Sequence, residues 1–258
     1  GVPFCQAGMM IGGMASGCPL NNLVPECNDL VYHGNWEEAY RRLTKTHCFP
    51  EFTSRVCPAL CEKACVCGRV SQPVTVRENE LAIIEYAFEN DLMQPMPSAA
   101  RSDKKIAVIG SGPAGLSAAY YLNRRGHHVT VFEKDPLPGG LLTYGIPEMK
   151  LPKQIVARRI SLMEREGVSF RTSCRVGQQI SPEELAAQFD LVIFCCGAQQ
   201  PRPLPFAETA GVFYALDYLR ASAQSLLEKT ETACRFRRLR LGKYVSFRNW
   251  AVFWLKKK

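Results

Sequence analysis

Three cysteines recur at a spacing of four residues along the chain. Cys57, Cys61 and Cys65 lie in the stretch Arg-Val-Cys-Pro-Ala-Leu-Cys-Glu-Lys-Ala-Cys, with Cys5 and Cys18 upstream. On a helix this spacing predicts three thiolates on one face, where they could converge on a single centre. An iron–sulfur cluster is the natural candidate. Zinc is the alternative, because four thiolates suit it equally well.

A carboxylate falls on the apolar side of the helix that the sequence predicts at residues 78–90. Glu80 lies near the middle of the stripe formed by Leu81, Ile84 and Phe88. An unpaired carboxylate is costly to bury, so Glu80 needs a cation or a metal. A hydrogen bond to a backbone amide or to Arg77 is the alternative. Beside the cysteines, ligation of a metal centre is at least as good an explanation.

A glycine-rich turn between a predicted strand and a predicted helix indicates a dinucleotide site. The turn reads Gly110-Ser111-Gly112-Pro113-Ala114-Gly115. In this context the backbone N–H groups would bind a pyrophosphate, and Glu133, at the end of the next predicted strand, would bind a ribose. An acid rather than an arginine at position 133 argues against a 2′-phosphate, so FAD or NAD would fit and NADPH would not. A purely structural glycine turn is the alternative.

The hydrophobic pattern divides the chain into a cysteine-rich helical part and an α/β part. A linker at residues 94–98 contains two prolines and ends the first part. Beyond it, predicted strands at 104–109, 129–132, 168–171 and 191–195 alternate with helices at 116–125, 152–166 and 181–188. Ser181 and Glu184 predict a capping box on the last helix. This alternation is typical of a doubly wound parallel sheet.

The positive charge of the chain is concentrated at its end. Nine Lys and Arg and no Asp or Glu lie in residues 235–258, and removing these nine from the net charge of +8 leaves residues 1–234 near −1. A body this close to neutral gives no support to a nucleic-acid partner. We therefore expect three parts: residues 1–97, residues 98–234 and a basic tail at 235–258.

Composition indicates a soluble protein of a reducing compartment. The 258 residues are enough for a sizeable core. No charged start precedes an apolar run, so the twelve cysteines are expected to be cytoplasmic thiols rather than secreted disulfides. No apolar stretch approaches the roughly 20 residues that a membrane helix requires, so no membrane contact is expected.

Longer stretches of the chain resemble one family, the small (beta) chain of bacterial NADPH-dependent glutamate synthase and its flavoprotein relatives. The resemblance runs from Gly1 to about Lys229. It rests on residues 17–26, residues 49–58, the glycine-rich turn, residues 139–147 and Cys196-Gly197-Ala198. It implies an α/β protein in which an all-helical, ferredoxin-like iron–sulfur domain precedes a Rossmann-type FAD-binding domain, here incomplete.

The resemblance also implies two [4Fe-4S] clusters. Cys18, Cys57, Cys61 and Glu80 match the complete ligand set of one cluster, with the glutamate in place of a fourth cysteine. Cys5 and Cys65 match half of the other. The remaining ligands of the family form a C-x-x-C that would precede Gly1, so the second cluster is expected to be incomplete in this chain.

The first dinucleotide fold of the family holds FAD. The residues that match its FAD site are Gly110, Gly112, Pro113, Ala114, Gly115 and Glu133, with Gly140 and Leu141 near the flavin. The NADPH fold of the family would open with a second glycine-rich loop soon after residues 242–245, and the sequence shows none. A truncated reading frame with an unrelated basic tail is therefore expected, and the chain alone is not expected to oxidise NADPH.

The function that the resemblance implies is electron transfer. Electrons would pass from NADPH through FAD and [4Fe-4S] clusters to a large chain, the partner that makes L-glutamate from glutamine and 2-oxoglutarate. No Cys-His or Ser-His pair offers amidotransferase chemistry, so no catalytic residue is assigned here. The alternatives are an accessory subunit of ferredoxin-NADP or dihydropyrimidine dehydrogenase type, and an inactive cofactor-binding fragment.

Overall fold

The chain forms two compact units, Gly1–Met96 and Pro97–Lys258. They are seen in a computed structural model that describes residues 2–11, 13–201, 212–228, 239–241 and 252–257. The domain limits that the sequence predicts, residues 1–97, 98–234 and 235–258, stay predictions. Each unit has its own hydrophobic core, and each is described by itself below.

The first unit is helical apart from a short antiparallel hairpin of β1 (Met9–Ile11) and β2 (Met14–Ser16). Its helices are α1 (Val24–Tyr32), α2 (Trp36–Thr46), α3 (Pro50–Val56), α4 (Leu60–Lys63), α5 (Val76–Glu89) and a 3-10 helix at Val66–Arg69. The core lies between α1, α2 and α5. It is built from Cys27, Ala39, Tyr40, Leu43, Ile83, Ile84 and Ala87.

The predicted single helix through the cysteine triplet is wrong. Cys57 caps the C-terminus of α3, Cys61 lies in the four-residue α4, and Cys65 precedes the 3-10 helix. The break has two causes. Pro58 favours an extended backbone at the preceding cysteine, whose ψ is 137°, and Ala59 adopts the left-handed conformation with φ 53°. The three thiols therefore project from three elements rather than from one helix face.

The second unit contains a parallel sheet in the order β5-β4-β3-β6. Its strands are β3 (Lys105–Ile109), β4 (His128–Phe132), β5 (Ser169–Arg171) and β6 (Leu191–Phe194). The helices between them are α6 (Pro113–Arg124), α7 (Leu141–Tyr144), α8 (Lys153–Arg165) and α9 (Pro182–Gln188). This alternation confirms the predicted α/β fold class.

The order of the strands places a topological switch point at the carboxyl end of β3. From the central β3 the chain runs outward through β4 to β5, and it then returns to the other side of β3 as β6. The connections on the two sides of β3 therefore diverge at the carboxyl ends of the strands. In open parallel sheets such a switch point is where ligands bind. The glycine-rich turn follows β3, and Glu133 follows β4.

The predicted capping box on α9 is confirmed. The Ser181 hydroxyl accepts from the Glu184 amide at 3.1 Å, and the Glu184 carboxylate accepts from the Ser181 amide at 2.7 Å. These reciprocal bonds satisfy two N–H groups at the start of the helix.

Beyond the parallel sheet, the chain adds α10 (Ala215–Glu228) and a second sheet. In it β9 (Val252–Lys257) pairs antiparallel with both β7 (Val212–Tyr214) and β8 (Leu239–Leu241). The rest of the predicted basic tail lies outside the described residues. Within the described part of the chain, no helix has the length and apolar character needed to span a bilayer.

Candidate functional site

In the first unit, the Cys61 thiol lies among the other residues predicted to ligate a cluster. Its side chain is buried, with 9% of the residue exposed. The pKa of Cys61 is raised to about 12, chiefly by burial, and the charges of Glu80, Cys18 and Cys57 contribute to this increase. Cys18, Cys57 and Glu80 are thus each close enough to act electrostatically on Cys61, although the four residues come from three stretches of the chain.

The Glu80 carboxyl is held by one amide from outside its own helix. Asn22 Nδ2 donates to Glu80 Oε1 at 3.4 Å, and Asn22 Oδ1 accepts from the Thr46 hydroxyl at 3.1 Å. Burial raises the pKa of Glu80 to about 7, the charge of Glu62 adds to the increase, and the bond from Asn22 opposes it. A carboxyl with so high a pKa is poorly compensated within the protein.

Arg77, the alternative partner of Glu80, donates elsewhere. Its guanidinium reaches the Cys57 carbonyl at 3.5 Å and the Glu78 carboxylate at 3.4 Å, while its backbone amide donates to Glu62 Oε1 at 2.9 Å. The partner that the structure gives Glu80 is therefore Asn22. Sequence reasoning missed this residue, because nothing in the local pattern of an asparagine distinguishes a buried one from an exposed one.

Cys5 and Cys65 form a second group beside the first. Burial raises the pKa of Cys5, and the charges of Cys65 and Cys18 add to the increase. The pKa of Cys65 is lowered, chiefly because the backbone amide of Val74 hydrogen-bonds to its sulfur and so favours the thiolate. Cys5, in the turn before β1, and Cys65, directly before the 3-10 helix, are therefore close enough for their charges to interact.

The donor set of the first group suits an iron–sulfur cluster. Among the residues that the structure describes, no three His, Cys, Asp or Glu side chains converge closely enough to hold one metal ion. A cluster of four irons and four sulfides is larger than one ion, so its ligands stand further apart. Three soft thiols and a poorly compensated carboxyl, with the other three groups near Cys61, fit that requirement.

In the second unit, the glycine-rich turn is shaped by backbone contacts that leave no room for side chains. Gly110 has φ +101°, and a Cβ there would lie 2.5 Å from the Cys195 carbonyl oxygen. A Cβ at Gly115 would overlap the Gly110 carbonyl oxygen. A Cβ at Gly112, by contrast, would meet no atom within 4 Å. Gly112 caps the N-terminus of α6, so this open space lies where the free N–H groups of a helix attract a phosphate.

The Glu133 carboxylate holds the glycine-rich turn from the end of β4. It is 4% exposed. Its Oε2 accepts from the Ser111 amide at 3.0 Å and from the Ser111 hydroxyl at 2.5 Å, and its Oε1 accepts from the Asp135 amide at 2.9 Å. A carboxylate can accept about four hydrogen bonds, so capacity remains for a ribose hydroxyl. Sequence reasoning assigned Glu133 to the ribose and missed Ser111.

The segment that begins with Gly140 lies against the same turn. A Cβ on Gly140 would lie 2.9 Å from the Gly112 Cα, and Gly140 has φ +53°. Leu141, which begins α7, is 47% exposed. From α8, the Lys153 ammonium donates to the Leu142 carbonyl at 2.9 Å, and burial lowers the pKa of Lys153. The residues predicted to bind FAD therefore lie together at the carboxyl ends of β3 and β4.

Two protein families match this chain, one in each unit. Residues 10–92 match the family described as dihydropyrimidine dehydrogenase domain II, 4Fe-4S cluster. Residues 108–152 match the NAD(P)-binding Rossmann-like domain. The first match contains Cys18, Cys57, Cys61, Cys65 and Glu80. The second contains the glycine-rich turn, Glu133, Gly140 and Leu141.

Curated relatives extend the similarity over most of the chain. The glutamate synthase [NADPH] small chain of Bacillus subtilis is 52% identical over 230 residues, which are 88% of this chain and 47% of that protein. This chain is similar to glutamate synthase small chains. The Mycobacterium tuberculosis protein of the same name is 48% identical over 85% of this chain and 43% of its own length. The chain therefore spans about half the length of these relatives.

Among solved structures, Mycobacterium tuberculosis FprA in complex with NADPH is 29% identical to this chain. The match covers 46% of this chain and 28% of FprA, with a TM-score of 0.42. A score this low does not establish a common fold.

We predict that Glu80 makes the cluster-free protein less stable as the pH rises from about 4.5 to about 7. In that range the unfolded chain releases the Glu80 proton while the folded chain, with a pKa of about 7, retains it. The free energy of unfolding should fall by on the order of 3 kcal/mol and level off above pH 7.

Urea unfolding at a series of pH values measures this slope. Glu80→Gln should remove most of it. The matched control is Glu89→Gln, which removes an exposed carboxyl from the same helix and should keep the wild-type slope. Equal slopes in the wild type and Glu80→Gln would contradict the assignment of Glu80 as a poorly compensated acid.

We predict that alanine at two glycines of the turn affects stability very differently. Gly115→Ala should lower the free energy of unfolding by roughly 2–4 kcal/mol, because its methyl group overlaps a backbone carbonyl. Gly112→Ala should leave the free energy of unfolding within about 0.5 kcal/mol of the wild type, since its methyl group enters open space.

The same variant also tests the position of the phosphates. If phosphates occupy that open space, Gly112→Ala should weaken dinucleotide binding at least about tenfold. Denaturant unfolding and fluorescence titration with FAD measure the two effects, and unchanged FAD affinity in Gly112→Ala would contradict the placement of the phosphates.

Proposed function

We propose that this chain is an electron-transfer subunit of the glutamate synthase type, with an iron–sulfur centre in the first unit and a flavin in the second. The observation that carries the proposal is the grouping of Cys18, Cys57 and Glu80 around the buried Cys61 thiol. Separate stretches of sequence supply these four groups, and an ordinary core gives no reason to gather them. The similarity to glutamate synthase small chains supports the same function.

The proposed ligands of a [4Fe-4S] cluster are Cys18, Cys57, Cys61 and Glu80. Their thiols and carboxyl must lose protons to ligate iron. For Cys61 and Glu80, burial makes this costly in the cluster-free protein. Cys5 and Cys65 are proposed as two ligands of a second cluster. The lowered pKa of Cys65 suits this role, because a thiolate is the ligating form.

The proposed cofactor of the second unit is FAD. Gly110, Gly112 and Gly115 shape the turn, with Pro113 and Ala114 between them, so that N–H groups of α6 face a pyrophosphate. The buried Glu133 carboxylate accepts ribose hydroxyls and disfavours a 2′-phosphate. Gly140 and Leu141 lie beside this cradle and face the flavin. When bound, FAD supplies the step between a hydride donor and single-electron carriers.

The complete route is part of the proposal. Electrons from NADPH pass through FAD and the [4Fe-4S] clusters to the large chain of glutamate synthase, which forms L-glutamate from glutamine and 2-oxoglutarate. We place the protein in the cytoplasm, since the cysteines of the described residues are free thiols and such thiols persist in reducing compartments.

The cluster assignment is tested with the full chain, reconstituted anaerobically with iron and sulfide. The wild type should bind about four irons and four sulfides for one [4Fe-4S] cluster. Cys61→Ser should lose most of both, because it removes a thiolate from the complete set. The control Cys174→Ser changes an unassigned cysteine of the second unit and should keep the wild-type content. Wild-type iron and sulfide in Cys61→Ser would exclude Cys61 as a ligand.

A second candidate function rests on the family matched at residues 10–92, whose description names dihydropyrimidine dehydrogenase. On this alternative, the same cofactors would serve another electron acceptor. Co-expression of the tagged chain with a glutamate synthase large chain distinguishes the two. We expect capture of the large chain in about equal amounts by the wild type and by Cys174→Ser. A cluster-loaded wild type that captures none would favour the other acceptor.

A further inference from the structure

Ser111 occupies a position that the glycine-rich pattern leaves unspecified. It stands between Gly110 and Gly112, and it is completely buried. Its side chain is therefore turned into the protein, away from the open space at Gly112 where a phosphate would lie. A buried hydroxyl needs hydrogen-bond partners, and those of Ser111 come from two other segments of the unit.

The Ser111 hydroxyl uses its donor and its acceptor capacity on different loops. It donates to Glu133 Oε2 at 2.5 Å and accepts from the Gly139 amide at 2.9 Å. The Ser111 amide adds a second bond to the same carboxylate oxygen at 3.0 Å. Ser111 thereby joins the turn after β3, the end of β4 and the segment that leads into α7.

The bond from Gly139 to Ser111 joins residues 139–140 to the glycine-rich turn, and the proposed dinucleotide site lies beside both segments. The next residue, Gly140, lies so near the turn that a Cβ on it would be 2.9 Å from the Gly112 Cα. Gly139 and Gly140 have φ +117° and +53°, which glycine tolerates and other residues rarely adopt. A flexible Gly-Gly pair keeps such a position only if something fixes it, and the Ser111 hydroxyl is a fixed acceptor at its start.

We propose that Ser111 is a positioning residue for the dinucleotide: its hydroxyl sets the spacing between the glycine-rich turn and residues 139–140, and it orients the Glu133 carboxylate. This role rests on the proposed binding of a dinucleotide in the second unit. Ser111 touches no cofactor in this arrangement. It acts through Glu133 and through the Gly139 amide.

The test compares Ser111→Ala with a variant that loses a serine hydrogen bond elsewhere in the same unit. Ser181→Ala removes the cap of α9, so it weakens the unit without touching the cradle. The first readout is residue-resolved amide exchange in the cofactor-free full chain. Exchange of the Gly139 amide should be at least about tenfold faster in Ser111→Ala than in the wild type, and unchanged in Ser181→Ala.

The second readout is the dissociation constant for FAD, from fluorescence titration. Ser111→Ala should weaken binding at least about tenfold, and Ser181→Ala should bind as the wild type does. Ser111→Cys, nearly the same size with a weaker donor and acceptor, should fall between the two and provides a folded comparison if the alanine variant does not fold.

The two readouts separate the two claims. Equal exchange at Gly139 in the wild type, Ser111→Ala and Ser111→Cys would overturn the positioning role, whatever their affinities for FAD. Faster exchange with unchanged FAD affinity would also overturn it, because the spacing would then not matter for binding. A wild type that binds neither FAD nor NAD would refute the proposed function, and the exchange rates would still decide whether Ser111 sets the spacing.

Discussion

A buried carboxylate must be compensated, and both units of this protein are organised around that requirement. In the second unit the compensation is internal, since Glu133 accepts three hydrogen bonds from Ser111 and Asp135. In the first unit, Glu80 receives a single long bond from Asn22, and its pKa rises to about 7. Glu133 therefore has its hydrogen-bond partners within the protein and ties the loops together. Glu80 has only Asn22 as such a partner in the described part of the chain, and a cationic centre among the neighbouring thiols would stabilise its charge.

The hydrogen bonds around Glu133 also hold the turn after β3 and the segment before α7 in place without a ligand. The turn after β3 and the segment before α7 are both tied to one buried cluster of polar groups at the carboxyl edge of the sheet. Lys153 supports the same segment from α8, where its ammonium binds a carbonyl of α7. The backbone amides that would face a pyrophosphate thus need little rearrangement on binding, which lowers the entropic cost of association.

The sequence predicts those features that depend on local pattern. The alternating strands and helices, α5 and the capping box of Ser181 all follow from periodicity and from end signals. The roles of Asn22 and Ser111 do not, because each bonds to residues far along the chain: Asn22 to Glu80, and Ser111 to Glu133. The cysteine triplet lies between these cases. Pro58 signals a break after Cys57, but the left-handed turn at an alanine has no local signature.

That left-handed alanine limits how this part of the protein can vary. Ala59 has φ 53° and is 6% exposed, directly between two of the proposed ligands. Branched side chains are excluded by the backbone conformation, and asparagine or aspartate, which tolerate it, would bring an uncompensated polar group into the interior. Glycine fits the backbone but gives up a buried methyl group and leaves the link between Cys57 and Cys61 freer to move. In chains that keep this turn, we therefore expect almost only alanine or glycine at position 59. Alanine or glycine there, together with the cysteine spacing, would identify this site more specifically than the spacing alone.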